Sequence, residues 1–247
     1  MMKYLIYRDD ALLVVNKPAG LLTVPGRGED KQDCLSAQVQ HEFPDALIVH
    51  RLDMATSGLL VLALGAEMQS RLSQMFRERQ VQKRYVAVVT GQVEQAISNP
   101  MSNSTEDGHP LWERPPGRDQ ACRGQEAAPT SASFLNGDWG EINLPLNSDW
   151  PNRPKQRVDH ESGKSSLTRY RLLEYNNTAD TSRLELEPVT GRTHQLRVHL
   201  AAIGHPILGD ALYTGRAAER LLLHAQSLSF IHPLNGKLLT LMSAAPF

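Results

Sequence analysis

The chain has 247 residues, 40% hydrophobic and 21% charged, which is a globular balance with enough length to bury a substantial core. Its N-terminus reaches Arg8-Asp9-Asp10 after a few apolar residues, too soon for a signal peptide, and no later run approaches the roughly eighteen apolar residues of a membrane span. Cys34 and Cys122 are the only cysteines and form no CxxC pair, so a reduced cytoplasm is the expected home.

In chain order, Leu12 to Val15 is a short apolar run stopping at Asn16-Lys17-Pro18-Ala19-Gly20, a strand followed by a turn. Cys34, Leu35, Val39 and Phe43 recur at helical spacing until Pro44 ends the helix. Leu59 to Leu64 predicts a buried strand. Met68, Leu72, Met75 and Phe76 predict a second amphipathic helix whose far face carries Arg71, Arg77 and Arg79. Tyr85 to Val89 is another apolar strand, entered from Lys83-Arg84.

From about Ile97 to Gly140 the pattern breaks. Pro100, Pro110, Pro115-Pro116 and Pro129 punctuate small polar residues with no sustained period. That predicts an insertion, either an arm or lid or a solvated loop without function. Order returns at Trp150. Leu167 to Leu173 and Ser182 to Leu186 alternate as half-buried strands do, and Thr193 to Ile203 predicts a helix closed by Gly204. Leu221 to Leu223 and Leu238 to Met242 add apolar segments, the second a last strand. Strands and helices mix without a regular βαβ repeat, so the expected fold is one α+β domain with a largely antiparallel sheet.

The net charge of −1 hides an asymmetry. Glu94 to Asp149 holds nine acidic residues and three arginines, so this segment carries −6 and the remainder +5. Basic residues gather at Arg71, Arg77, Arg79, Lys83 and Arg84, and again at Arg153, Lys155, Arg157, Lys164, Arg169 and Arg171. Two readings fit: surfaces that track the phosphates of a nucleic acid, or two solvated faces.

Cofactor motifs are missing. Gly163-Lys164-Ser165 lacks the glycine a phosphate loop needs five residues earlier, where Val158 stands. There is no GxGxxG after a strand, no HExxH and no GxSxG, and His194 and His199 are five apart, off the four-residue spacing of a helical metal site. No metal and no cofactor are expected.

What remains is "HRLDMATSGLLVLA" from His50 to Ala63, polar groups set against an apolar strand. Taken alone, Asp53 is a turn former or a reactive carboxylate. "TGRTHQLRVH" from Thr190 to His199 puts a second polar cluster on the first turns of a helix. A cation from that helix beside Asp53 would keep its carboxylate ionised in a partly dry cleft.

The first of these stretches resembles the signature HRLDxxTSG of the pseudouridine synthases of the RluA family, with its apolar strand following. "VVNKPAGLLTVPG" at Val14 to Gly26, "KRYVAVVTG" at Lys83 to Gly91, "TGRTHQLRVHLAAIGHPILGD" at Thr190 to Asp210 and "RLLLHA" at Arg220 to Ala225 are similar to its other motifs. "DWPNRPKQRV" at Asp149 to Val158 is similar to the dual-specificity members. The resemblance covers the chain outside about 97–140 and leaves no room for an N-terminal S4-type RNA-binding domain. It implies the pseudouridine synthase fold, with a mixed sheet, flanking helices and a catalytic cleft. It also implies a monomer that acts on RNA without a cofactor, on a uridine of 23S rRNA and one in the tRNA anticodon loop.

The same resemblance assigns roles. Asp53 is the carboxylate that engages the sugar, as nucleophile or as base toward a glycal. Arg51 fills the space of the flipped base. Tyr85 stacks on the uracil and helps remove the C5 proton, Arg197 pairs with Asp53, and Leu223 gives an apolar wall. Arg192 and His194 contact the RNA or hold the local structure, and the basic clusters, rather than the resemblance, put Arg77 and Arg157 on phosphates. His50, Lys17 and the Thr56-Ser57-Gly58 turn are read as structural. Two rivals are an RNA-binding module without catalysis and a nucleosidase-type hydrolase. The second would need a paired carboxylate, and none is expected in these motifs.

Overall fold

The computed structural model describes residues 3–94, 133–135 and 139–247. Its elements run β1 (Leu5–Arg8), β2 (Leu12–Lys17), α1 (Leu35–Glu42), β3 (Ala46–Ile48), β4 (Ser57–Leu64), α2 (Ala66–Arg77) and β5 (Gln82–Thr90). There follow β6 (Ser133–Leu135), β7 (Trp139–Asn143), β8 (Leu146–Ser148), β9 (Gln156–Val158), β10 (Leu167–Asn176), β11 (Thr181–Pro188), α3 (Gln195–Ala202), β12 (Leu223–Ile231) and β13 (Leu238–Met242). Among the described residues, eleven strands form one sheet in the order β1-β2-β4-β12-β5-β11-β10-β7-β6, with β3 beside β4 and β13 beside β12. All its pairings are antiparallel except β4 with β12, and β8 and β9 form a separate ribbon. This is the expected α+β fold.

The continuous apolar runs have a simple cause: this part of the sheet is covered on both faces. Leu12 and Val14 of β2 with Leu59 and Val61 of β4 pack toward Met68 and Leu72 of α2. Leu13 and Val15 with Leu60 and Leu62 pack toward Leu35 and Val39 of α1. A third cluster joins Ala87 and Val89 of β5, Leu184 and Leu186 of β11, and Leu196 and Leu200 of α3. The parallel contact depends on Gly58, whose φ is +116° and where a Cβ would lie 2.3 Å from the Ala225 carbonyl oxygen. No L side chain fits there, so β12 approaches β4 only because residue 58 is glycine.

Order resumes earlier than the sequence suggests. The segment read as irregular to Gly140 contains β6 and the start of β7, which pair antiparallel as Leu135↔Trp139 and Phe134↔Gly140. An Asn136-Gly137 pair, a strong hairpin signal, separates these two strands in the sequence. The two strands are too short for alternation to reveal them. Residues 97–132 and 136–138 of that segment lie outside the described residues. The third helix also begins later than expected, at Gln195, because His194 takes a left-handed backbone with φ 54°.

Candidate active site

Asp53 stands on the loop that leads into β4, its side chain 27% exposed. The motif around Lys17 braces that loop. Lys17 is fully buried and donates all three ammonium protons, to the carbonyls of Pro18 (2.8 Å), Leu21 (2.7 Å) and Met54 (3.0 Å). Gly20 N also donates to Met54 O, and Thr23 Oγ1 donates to Leu52 O at 2.7 Å. The backbone is therefore clamped on both sides of Asp53. Burial pulls the Lys17 ammonium down to about 8 against the attraction of the Asp53 carboxylate.

The Thr56-Ser57-Gly58 turn is equally internal. Thr56 N donates to Asp53 O, while Ser57 Oγ takes a hydrogen bond from Arg220 Nη2 and meets His224 Nδ1 at 2.8 Å. His50 accepts from Val61 N through Nε2 at 3.0 Å and stacks on Phe76 at 4.3 Å. Burial pushes its pKa down to about 3, with Lys83 adding to the shift.

The opposite wall is the turn into α3. Arg197 Nη1 lies 3.7 Å from Asp53 Oδ2, but its firm partner is Asp210, bound by Nε and Nη2 at 2.7 Å each. Asp210, also buried, accepts further from Leu212 N and Tyr213 N. A second carboxylate does therefore stand in the recognised motifs, against expectation. Arg197 and two backbone amides occupy it, so it is not placed to share acid–base work with Asp53. Burial works against the Arg197 charge, and the Asp210 hydrogen bonds together with the Asp210 and Asp53 charges more than offset it, so its pKa rises.

His194 completes this wall. Tyr213 Oη accepts from Gln156 N at 2.8 Å and sits 2.7 Å from His194 Nδ1; because that oxygen already accepts from Gln156, we assign its own proton to the bond with His194. The neutral imidazole thus carries its hydrogen on Nε2, which faces Asp53 Oδ2 at 3.9 Å. Burial holds the His194 pKa down, with Arg197 adding to the shift and Asp53 and Asp210 opposing it. Gln195 fixes the strained turn: its Oε1 accepts from Thr190 Oγ1 and Arg192 N, and its Nε2 donates to Leu167 O. His199 is turned away, bonded to Thr168 Oγ1 and Leu144 O.

These walls enclose a cleft of about 870 Å³, lined among others by Arg51, Asp53, Tyr85, His194, Arg197 and Leu223. Tyr85 and Leu223 reach it from neighbouring strands, the register being Tyr85↔Ala225 and Ala87↔Leu223. Burial first and the Asp53 charge second push the Tyr85 phenol pKa up, so it stays protonated at neutral pH. Arg77, Arg79, Lys83 and Arg192 also line the cleft.

The two basic clusters read from the sequence do not survive whole as free charge. Arg84 pairs with Glu187, Arg169 with Glu141, Arg171 with Glu185, Arg71 with Glu67, and Arg157 with Asp159. Several of these follow from strand register, since Arg169 opposes Glu141 and Arg171 opposes Glu185. Arg157 lies on β9, outside the cleft lining, whereas Arg77 lines the cleft.

A half-apolar chamber with one carboxylate on its wall and cations along its lining suits a class of protein: enzymes that act on a polyanionic substrate. Known proteins narrow it. The sequence family described as RNA pseudouridylate synthase matches residues 11–202. The Dual-specificity RNA pseudouridine synthase RluA of Escherichia coli (strain K12) is 42% identical over 98% of this chain and 93% of its own length. The protein of that name from Haemophilus ducreyi is 37% identical over 98% of this chain and 93% of its own. Among solved structures, Human RNA Pseudouridylate Synthase Domain Containing 1 superposes with a TM-score of 0.69 at 26% identity, covering 99% of this chain and 84% of that one. The chain belongs to the RNA pseudouridylate synthase family and is an RNA pseudouridine synthase.

Proposed function

We propose that this enzyme isomerises uridines in two structured RNAs, 23S rRNA and the tRNA anticodon stem-loop, with Asp53 as the essential carboxylate. The observation that carries the assignment is the position of Asp53: a clamped backbone, a cation and a neutral imidazole on one side, and an open cleft on the other. The dual specificity printed in the names of the RluA proteins supports the choice of two RNAs.

In this reaction N1–C1′ breaks, the uracil turns, and C5–C1′ forms, while the proton on C5 leaves and N1 gains one. No electrons change hands and no water is consumed, so side chains suffice. Asp53 acts at the sugar as nucleophile on C1′ or as base toward a glycal, and both routes need the ionised carboxylate in the same place. Tyr85 stacks on the uracil as a neutral phenol, and Leu223 closes the apolar side. Arg197 and His194 aim Asp53, and Arg51 enters the space of the flipped base. Arg77 and Arg192 meet phosphates at the cleft. Arg157 meets them further out, exchanging Asp159 for RNA. Action as a monomer in the cytoplasm is part of the same proposal. The segment 97–132 lies outside all these roles and is dispensable for chemistry.

A nucleosidase would need a second free carboxylate to direct water, and Asp210 is fully engaged. The test is to map pseudouridines in 23S rRNA and tRNA from a strain lacking the gene, then restore them with purified protein. Loss and recovery at one site in each RNA is the expected result. Recovery in only one of the two RNAs would refute dual specificity.

A further inference from the structure

We infer that the tip of the β8–β9 ribbon is a stacking platform for an unpaired base of the substrate RNA, outside the catalytic cleft, with Trp150 and Arg153 as its two planes. This rests on the reading of the cleft as a synthase site for structured RNA. Trp150 is 66% exposed, an unusual state for the largest apolar side chain in a chain with three tryptophans. Arg153 lays its guanidinium 3.3 Å from the centre of that ring. Among the described residues neither Arg153 nor Lys155 has an acidic partner, unlike Arg84, Arg169 and Arg171 of the central sheet.

The tip is held in shape. Asp149 N donates to Lys155 O, Lys155 N to Asn152 O, and Asn152 Nδ2 to Asp149 Oδ2. Its root is fastened to the catalytic wall, because Gln156 N donates to the same Tyr213 hydroxyl that orients His194. An exposed aromatic, a flat cation upon it and unpaired positive charge suit one occupant: a nucleotide whose base stacks on indole or guanidinium while its phosphate meets Arg153 or Lys155. A protein partner finds less here. Other exposed apolar residues, such as Leu238 and Met242, lie on β13 rather than on this ribbon.

The experiment measures the Kd of an anticodon stem-loop RNA in the Asp53→Asn background, where no turnover occurs. Trp150→Ala is expected to weaken binding about tenfold, and Trp150→Phe by less than about twofold, because any aromatic face will stack. Each loop nucleotide is then replaced by an abasic one. At one position, other than the target uridine, the abasic RNA should bind about tenfold more weakly to the Trp150 protein and no more weakly still to Trp150→Ala. Unchanged affinity in Trp150→Ala overturns the proposal. So does a Trp150→Ala penalty of equal size on every abasic RNA, which would mark a purely structural role. Pseudouridine formation by the unmutated enzyme on the same stem-loop is scored separately. If that RNA binds but is not modified, the substrate reading fails while the stacking result stands by itself.

Discussion

The two walls of the cleft hold their functional groups by different means. The Asp53 wall is fixed from behind, by hydrogen bonds to backbone: Lys17, Gly20 and Thr23 grip the carbonyls of Met54 and Leu52. The α3 wall is fixed by side chains gripping one another, Arg197 to Asp210, Tyr213 to His194 and Gln195 to Thr190. The first arrangement decides where the carboxylate is. The second decides the charge and proton positions that face it. Damage to the first should therefore be felt as lost stability, and damage to the second as lost rate in a folded protein.

The largest effect is expected at the group both walls serve. Asp53→Asn keeps the shape but removes the charge, so pseudouridine formation should fall by roughly 10⁴-fold or more, about 5 kcal/mol. Its thermal midpoint should hardly move, because the bracing hydrogen bonds go to backbone. Tyr85→Phe and Arg197→Met should be severely impaired, and adding either to Asp53→Asn should cost almost nothing more. Retention of a tenth of normal turnover in Asp53→Asn would falsify the assignment.

Lys17→Met separates the walls. It removes the buried ammonium donor from the Pro18 and Leu21 carbonyls and one of the two donors of Met54 O, a loss of about 2–4 kcal/mol once relief of ammonium burial is allowed for. Urea unfolding should show that loss, while turnover per folded molecule falls far less than in Asp53→Asn. A stable Lys17→Met with crippled turnover would reverse the comparison and make Lys17 part of the chemistry.

Tyr213→Phe tests the other wall. It keeps the ring beside Arg197, whose guanidinium lies 5.2 Å from its centre, and removes only the hydroxyl between Gln156 and His194. The proton of His194 is then free to sit on Nδ1, which turns a lone pair instead of N–H toward Asp53. The expectation is a drop of about tenfold in kcat, with KM unchanged. ¹⁵N resonances of the His194 ring should change from the Nε2–H form to a mixture. If neither the ring nitrogens nor kcat move, the relay is only packing.

The same contrast explains what could be read from the sequence. The Asp53 wall is written in short contiguous stretches, "NKPAG" and "HRLDMATSG", so its residues could be picked out directly. The partners of the α3 wall lie further along the chain. Asp210 is thirteen residues beyond Arg197, and Tyr213 nineteen beyond His194, a pairing no helical or strand period announces. The left-handed backbone of His194 was equally hidden, because it goes with the tertiary hydrogen bonds of Gln195 and Tyr213. Charge misled for a related reason: clustering along the chain does not reveal which arginines face a glutamate across a strand pair. The apolar strands were legible because burial on both faces leaves an uninterrupted run.

The smallest expected effect concerns acid stability on the Asp53 side. His50 accepts the Val61 amide proton and lies against Phe76, and burial holds its pKa at about 3, below the unfolded value of about 6.5. Between those values the unfolded chain binds a proton that the native state refuses, so stability rises with pH across the window. The contribution is complete above about pH 6.5 and is lost as the pH falls toward 3. The slope from one such histidine is at most about 1.4 kcal/mol per pH unit, or some 3–6 °C in melting temperature. His194 and His199 are shifted the same way, so the unaltered protein should lose stability still faster on acidification. In His50→Gln the amide oxygen can take over the Val61 hydrogen bond but cannot titrate. Its melting temperature should therefore fall less between pH 6.5 and 4.5 than that of the unaltered protein, while turnover at pH 7.5 stays within about twofold. Parallel acid limbs in the two proteins would mean that His50 takes up its proton without leaving its place in the fold.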